Sequence, residues 1–506
     1  MNKLYKIFLL LLVTGLISYS CDGIEDSLVD DQLEENPLPQ SPEYSSGSAD
    51  FSNYVAIGNS LTAGYMDGAL YSTGQNNSIP AILASSFSAT VDGEYTFNQP
   101  DINSDNGFNT NISPNPNNGI TFGRFKLDTE QRVPSPVING SAITAYTGPT
   151  LNNFGVSGVA VGQLRNPGTG NPNDPAFNPF YARFASNPGV STILEDAIAT
   201  DPTFFSLWAG NIDVLSYATS GAANPALLTS TADFQTRFAN VITDLMTETT
   251  AEGVVINIPS FLGLAYFRAV PFNAIPLDAQ TAAGASAGYT NYNNGVQQAA
   301  DGGLITQAEA DRRKINFSAG QNAFVIEDET LTDLSALMLP PLRQSESTDL
   351  TVLSLGSLLG TDAFGEGAYG IQDAVSDQFV LIPSEQFEIE TSRQTFNGIM
   401  AQIVASNSSR LTLYDTNSAT GVFADLFGLS DGVPGITVDG VDLTPDFAPT
   451  GVLSTDGIHP NPRGNALIVN EIIATIEAKF GANLPAINVL NRSSVAVCAG
   501  NCLSQQ

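Results

Sequence analysis

Short apolar runs and amphipathic segments alternate along this chain of 506 residues. Four short apolar runs have the length of buried strands; they lie at residues 53–57, 203–208, 253–259 and 410–415. Three segments with apolar residues three and four positions apart are typical of helices; they lie at residues 78–87, 232–249 and 463–480. Strands that alternate with helices predict an α/β fold, in which helices cover both faces of a parallel sheet.

The third and fourth predicted strands are much farther apart than a minimal α/β domain requires. We interpret residues 260–400 as a large insertion that caps the site of a domain spanning residues 51–482. Residues 483–506 are then a C-terminal tail. Hydrophobic residues make up 42% of the chain, which is enough for a sizeable core.

The N-terminus has the layout of an export signal. Lys3 and Lys6 precede an apolar run too short to span a membrane comfortably, and residues 1–21 end at Cys21. Ser18-Tyr19-Ser20-Cys21 resembles a loose bacterial lipobox, which implies lipidation of Cys21; cleavage by an ordinary signal peptidase is the alternative. Residues 22–50 are acidic and poor in large apolar side chains, so we predict a disordered tether. It resembles the tethers of Bacteroidetes-type exported lipoproteins, which implies an outer-membrane or cell-surface location.

The charge balance restricts the partners. The chain has 51 acidic and 18 basic residues and a formal net charge of −33. Nucleic acids and anionic membrane surfaces are bound through basic patches, so we expect no nucleic-acid partner and membrane contact through the lipid anchor only. A solvated acidic surface is the simplest interpretation, with calcium binding as the alternative. Cys498 and Cys502 could form a small disulfide loop but make a poor zinc site.

Histidine chemistry has a single possible location, because His459 is the only histidine. It lies in Asp456-Gly-Ile-His459-Pro-Asn461, where the aspartate could orient and charge-balance the ring. Far upstream, Gly58-Asn59-Ser60-Leu61-Thr62-Ala63-Gly64 follows a predicted strand. A serine, a histidine and an aspartate are the components of a nucleophilic hydrolase. Taken alone, a structural turn at Ser60 and a buried, backbone-bonded His459 are the simpler interpretations.

These two segments together resemble the first and last conserved blocks of the SGNH/GDSL hydrolase family. Asn153-Phe-Gly-Val-Ser157-Gly158 is similar to the second block, and Ala209-Gly210-Asn211-Ile212-Asp213 to the third. The order of the four blocks along the chain also agrees. The resemblance implies a three-layer flavodoxin-like fold with a large insertion. It also implies a Ser60–His459–Asp456 triad and an oxyanion hole containing the N–H groups of Ser60 and Gly158.

The chain departs from the family pattern at two positions. Asn59 stands where the name motif has aspartate, beside the nucleophile but outside the triad. Ile212 stands where a gapless match expects the asparagine whose side chain completes the oxyanion hole, and isoleucine cannot donate a hydrogen bond. A shift of one residue makes Asn211 the donor, which is the alignment we prefer.

The resemblance implies a carboxylic ester hydrolase of the esterase or lipase type that forms an acyl-enzyme and needs no cofactor or metal. Its substrate would be an ester of a lipid or of an acylated glycan. The alternative is a surface lipoprotein that keeps the fold, has weak or no catalysis, and binds glycans or lipids. A metal-dependent hydrolase is disfavoured, because a single histidine leaves only carboxylates as metal ligands.

Overall fold

A computed structural model describes residues 43–110, 112, 119–130, 132–430, 432–500 and 502. The chain divides into residues 1–44 and 45–506, and the central sheet, the described helices and the site belong to the second unit. The predicted signal segment, the lipidation site Cys21 and most of the predicted tether lie outside the described residues. No helix in the described ranges is both long enough and apolar enough to cross a membrane.

A five-stranded, fully parallel sheet forms the centre of the unit, which confirms the predicted fold class. Its strands are β1 (Tyr54–Gly58), β2 (Asn153–Gly155), β3 (Phe204–Trp208), β4 (Glu252–Ile256) and β5 (Leu411–Tyr414). Their spatial order is β2-β1-β3-β4-β5, the order of flavodoxin-like folds. The strand order reverses at β1, and in such sheets ligands bind beyond the carboxyl ends of the strands at this reversal.

Helices cover both faces of the sheet, and every residue of β1 and β3 is therefore buried. The helices that pack on it or flank the site are α1 (Ser60–Ala63), α2 (Ile79–Phe87), α3 (Ile193–Ile198), α4 (Ile212–Thr219), α5 (Thr231–Glu248), α6 (Pro383–Ser406), α7 (Val422–Leu426) and α8 (Pro462–Phe480). One core lies between the sheet and α5 and α6, and the other between the sheet and α2 and α8.

Local chemistry explains where the predicted helices begin. The Ser78 side chain accepts a hydrogen bond from the Ala81 N–H at the start of α2, and Ser230 caps α5 in the same way through Asp233. Asn461 caps α8 by accepting from two backbone N–H groups, and Gly481 ends that helix with a φ of 68°.

The predicted insertion, residues 260–400, is too long at its C-terminal end. Its last part belongs to α6, whose buried residues pack in the main core beside α5. The segment between 269 and 382 has two small hydrophobic clusters of its own. It contains the helices Ala279–Gly288, Thr290–Asp301 and Gln307–Arg313, and three antiparallel strand pairs: Ile275–Leu277 with Gly320–Asn322, Val325–Glu327 with Leu342–Gln344, and Leu350–Thr351 with Val380–Leu381.

Both ends of the domain extend beyond the predicted bounds of 51–482. Ser45 and Asn483 exchange two backbone hydrogen bonds, and Ala49 is buried, so residues 45–50 are packed against the domain and are no tether. Within the predicted tail, Leu484 and Val489 are buried and Val497–Cys498 pairs with the strand Phe122–Asp128.

The remaining short elements lie outside the central sheet. They are the helices Ser72–Asn76, Pro179–Ala182 and Ala265–Arg268, and the antiparallel strand pairs Ala69–Leu70 with Phe108–Asn109, Phe122–Asp128 with Val133–Ile138, and Ile436–Val438 with Val441–Leu443.

Candidate active site

Ser60 lies in a tight turn at the carboxyl end of β1. It is the first residue of α1, and the side chain of Asn59 caps that helix by accepting a hydrogen bond from the Leu61 N–H. A Cβ at Gly58 would come within 2.4 Å of the Trp208 carbonyl oxygen and of Thr62 Oγ1, so only glycine allows β1 and β3 to approach this closely. The turn places the Ser60 side chain beyond the sheet edge.

His459 reaches the same point from the far end of the sequence. Its Nε2 lies 2.8 Å from Ser60 Oγ, and its Nδ1 lies 2.8 Å from Asp456 Oδ2. Asp456 Oδ1 accepts the backbone N–H groups of Ile458 and His459, each at 2.9 Å, so the aspartate closes its own turn and orients the ring. The structure thus brings the three predicted residues into one hydrogen-bonded chain.

The carboxyl group of Asp456 is strongly biased toward its ionised form. Burial alone would raise its pKa, but the neighbouring His459 ring and the N–H donors of the turn hold the pKa at about 2. Asp456 therefore remains an anion at neutral pH. A buried anion next to Nδ1 stabilises an imidazolium and favours the tautomer that leaves Nε2 as the proton acceptor facing the serine.

A second buried aspartate supports this turn, and the sequence did not reveal it. Asp67 Oδ1 accepts hydrogen bonds from the backbone N–H and the hydroxyl of Thr455, and its Oδ2 accepts the Tyr71 hydroxyl. Asp67 has a φ of 55°, and the following Gly68 N–H donates to Asp456 Oδ2 at 3.1 Å. Burial raises the pKa of Asp67. A lone aspartate before glycine carries no sequence signal for this role.

The candidate oxyanion donors have distinct positions. Gly158 follows β2 with a φ of 80°, and Val156, two residues before it, donates its N–H to the Gly58 carbonyl. Within the described ranges, no residue accepts a hydrogen bond from the N–H of Gly158 or of Ser60. Neither N–H is therefore used within the described residues, but Gly158, unlike Ser60 and Asn211, is not among the described residues that line the cavity at Ser60.

Asn211 immediately precedes α4 and is buried. Its side chain does not cap the helix, and its Oδ1 has no hydrogen-bond partner among the described residues. Asn211 and Ile212 both line the cavity that contains Ser60 and His459. The next acidic residue, Asp213, is used structurally, because it accepts the Val161 N–H and the Thr229 hydroxyl.

The cavity at the triad has a volume of about 60 Å³ and is mainly apolar. Ser60, Asn211, Ser260 and His459 are the polar side chains among its described lining residues, and none of those residues is acidic, lysine or arginine. Its apolar wall includes Leu61, Trp208, Phe261, Phe427, Leu453 and Ile468.

The predicted cap does not form this wall. No described lining residue lies between 264 and 423, so only the first residues of the predicted insertion reach the cavity. The rest of that side comes from the segment between β5 and α8, which sequence reasoning missed because its scattered apolar residues form no long periodic run.

The two C-terminal cysteines lie away from the triad in a different sheet. Cys498 and Cys502 are joined in a disulfide, and Cys498 belongs to the strand that pairs with Phe122–Asp128. Both cysteines are buried. The bridge closes a small loop within the C-terminal segment, and the pairing of Val497–Cys498 with Phe122–Asp128 joins that segment to the domain.

Comparison with protein-family models finds no match, and comparison with curated proteins finds none either. Among solved structures, the chain is similar to a variant of an acetyl-xylooligosaccharide esterase from Geobacillus Stearmophilus, with 9% identity and a TM-score of 0.31. The match covers 85% of this chain and 96% of that one. Similarity at this level carries no argument about this chain's reaction.

Proposed function

We propose that the chain is a serine ester hydrolase of the SGNH type, acting on carboxylic esters through an acyl-enzyme. One observation carries the proposal: Ser60 Oγ, both ring nitrogens of His459 and the Asp456 carboxylate form a continuous hydrogen-bonded chain. Ser60 and His459 also line an apolar cavity at the carboxyl edge of the sheet, where such folds bind ligands. Hydrogen-bond contact between a nucleophile, its base and an orienting group is the signature of nucleophilic catalysis.

The reaction begins when Ser60 Oγ attacks the ester carbonyl while His459 Nε2 removes the hydroxyl proton. The negative charge that develops on the carbonyl oxygen is stabilised by the N–H groups of Ser60 and Gly158 and by the side-chain amide of Asn211. As the tetrahedral intermediate collapses, His459 returns the proton to the leaving alcohol. Water then attacks the acyl-enzyme with His459 as base, releasing the acid and regenerating Ser60.

A second candidate, binding without catalysis, is motivated by Ile212. This residue lines the cavity at the position where the family pattern has its oxyanion asparagine, and it offers no donor. If Asn211 does not replace that donor, the site would retain its ligand but turn it over slowly. Loss of one oxyanion donor typically costs about 100- to 1000-fold in rate.

The test compares the wild type with Ser60→Ala, using a fluorophosphonate probe and short-chain nitrophenyl esters. Ser260→Ala is the matched control, because Ser260 lines the same cavity and makes no hydrogen bond with His459. We expect labelling and turnover in the wild type and the control, and neither in Ser60→Ala. Equal turnover in Ser60→Ala would reject the serine mechanism, and a folded wild type without labelling would favour the binding protein.

We further propose that the protein is exported and anchored through a lipid on Cys21. The charged N-terminus, the short apolar run and the lipobox-like residues before Cys21 support this proposal. Incorporation of labelled palmitate into the wild type but not into Cys21→Ser is the expected result. Recovery of both forms in the soluble fraction, without label, would reject the anchor.

A further inference from the structure

The cavity at Ser60 is next to a larger groove of about 530 Å³, whose described lining contains none of the three triad residues. Three residues border both spaces: Ser260, Phe427 and Pro445. Of these, Phe427 has the largest side chain, and it is only partly buried. Its ring therefore stands at the boundary between the inner cavity, where the proposed chemistry takes place, and the outer groove.

The position of the Phe427 ring is determined by its neighbours. Phe427 directly follows α7, its N–H donates to the Phe423 carbonyl, and the two rings stack with centroids 6.4 Å apart. A Cβ at Gly263 would come within 3.0 Å of the Phe427 ring, so the missing side chain there makes room for it. Gly428 ends the segment with a φ of 65°.

The chemistry of both spaces suits a hydrocarbon chain better than a sugar. The outer groove is lined by Leu262, Leu429, Pro434 and Phe447, and Leu429 is 71% exposed. It has two charged lining residues: Arg268, whose Nε donates to the Leu262 carbonyl, and Asp446, whose Oδ1 accepts the Ala448 N–H. A glycan would place most of its hydroxyl groups against a mainly apolar lining, and burying an unpaired hydroxyl is costly.

The size of the inner cavity limits what it can hold. A space of about 10–15 Å³ on this scale accommodates one water molecule, so a cavity of about 60 Å³ holds on the order of four groups of that size. A short acyl group would fit within it. A longer acyl chain would have to pass Phe427 and continue along the outer groove.

We propose that the substrate is an ester of a fatty acid whose acyl chain runs from Ser60 past Phe427 into the outer groove, and that Phe427 determines which chain lengths are accepted. This inference rests on the proposed ester hydrolysis and specifies its substrate class. The continuity of the groove with the Ser60 cavity, through three shared residues, is what assigns the acyl chain as its occupant.

The test is a series of nitrophenyl esters from acetate to palmitate, assayed with the full chain. In Phe427→Ala we expect the ratio of kcat/KM for palmitate to kcat/KM for acetate to rise at least about tenfold, because a steric barrier to the longer chain is removed. Phe427→Trp should lower the long-chain values. Phe387→Ala is the matched control, because Phe387 is 74% exposed and lies on α6 away from both spaces; its chain-length profile should equal that of the wild type.

Binding of dodecanoate to Ser60→Ala, measured by calorimetry, separates this inference from the proposed function. If Phe427→Trp weakens dodecanoate binding but the wild type shows no Ser60-dependent turnover, the acyl groove is supported and the hydrolase is rejected. Ser60-dependent turnover with a profile that neither Phe427 variant alters rejects the acyl groove alone. Absence of both turnover and binding rejects both proposals.

Discussion

The backbone N–H of Gly68 donates to Oδ2 of Asp456 across 388 residues of sequence, at 3.1 Å. The same oxygen lies 2.8 Å from Nδ1 of His459. The aspartate of the triad is therefore held by its own turn and by the Asp67-Gly68 turn. We therefore expect the orientation of the histidine to depend on a segment that does not line the cavity.

Asp67→Asn tests that dependence. Asparagine tolerates the positive φ of Asp67, but its amide presents a donor where Asp67 accepts from Thr455 or Tyr71. We expect kcat to fall by about 10- to 100-fold with little change in KM, because the triad is misplaced while the cavity is unchanged. Tyr71→Phe, which removes only one of these bonds, should show a smaller loss. An unchanged kcat in Asp67→Asn would mean that the Asp456 turn keeps its position without the hydrogen bonds that Asp67 accepts.

Asn211→Ala tests the oxyanion donor. Removal of a donor used only in the transition state should lower kcat by about 100- to 1000-fold and leave KM nearly constant. The matched control is Ile212→Val, which trims the adjacent cavity-lining residue without changing a polar group. Steady-state kinetics on one ester suffices. If both variants behave like the wild type, the donor lies elsewhere.

Gly155→Ala tests the close contact between β2 and α1. A Cβ there would come within 2.3 Å of the Ala63 backbone nitrogen, so α1, which carries Ser60, would have to move. We expect the free energy of unfolding in urea to fall by about 1–3 kcal/mol, with a loss of kcat. Gly398→Ala in α6 is the control: no atom lies within 4 Å of its added Cβ, and it should stabilise the helix by up to about 1 kcal/mol.

Glu385→Gln tests a pH-dependent contribution to stability. Burial, together with nearby Glu329 and Asp377, raises the pKa of Glu385 from 4.5 to about 8. The folded state thus binds the carboxyl proton of Glu385 more tightly than the unfolded state does. The contribution of this group to stability is complete below pH 4.5 and is lost as the pH rises toward 8. We expect the wild-type Tm to fall between about pH 5 and pH 8, and the variant, which stays neutral, to lose less. Parallel Tm curves would contradict the assignment.

The sequence predicted four of the five strands, and it missed β2 (Asn153–Gly155), which is only three residues long. The other strands of the sheet are mostly buried. Such strands appear as continuous apolar runs, and residues 203–208 match β3 (Phe204–Trp208) closely. The three triad residues could be named because the chain has one histidine, so a single pairing with Ser60 was available. The polar environment around them, including Asp67, depends on contacts between distant segments that no local pattern encodes.

Helix α6 explains why the predicted insertion ends too far along the chain. Its buried positions follow a helical stripe, but two of them, Glu385 and Arg393, are charged. The burial of Arg393 is stabilised by its hydrogen bonds to Glu390 and to the carbonyl of Ile258. A hydrophobicity pattern counts such residues as surface, and the core-facing side of the helix was therefore not recognised.

Helix α8 separates the first described residues of the domain from the triad. It begins three residues after His459 and runs for 19 residues, roughly 28 Å, to Phe480, whose carbonyl accepts the Ser48 N–H. Residues 45–48 therefore meet the domain at the end of α8 that is far from His459. None of these residues lines the cavity, so this segment can be changed without altering the surroundings of Ser60.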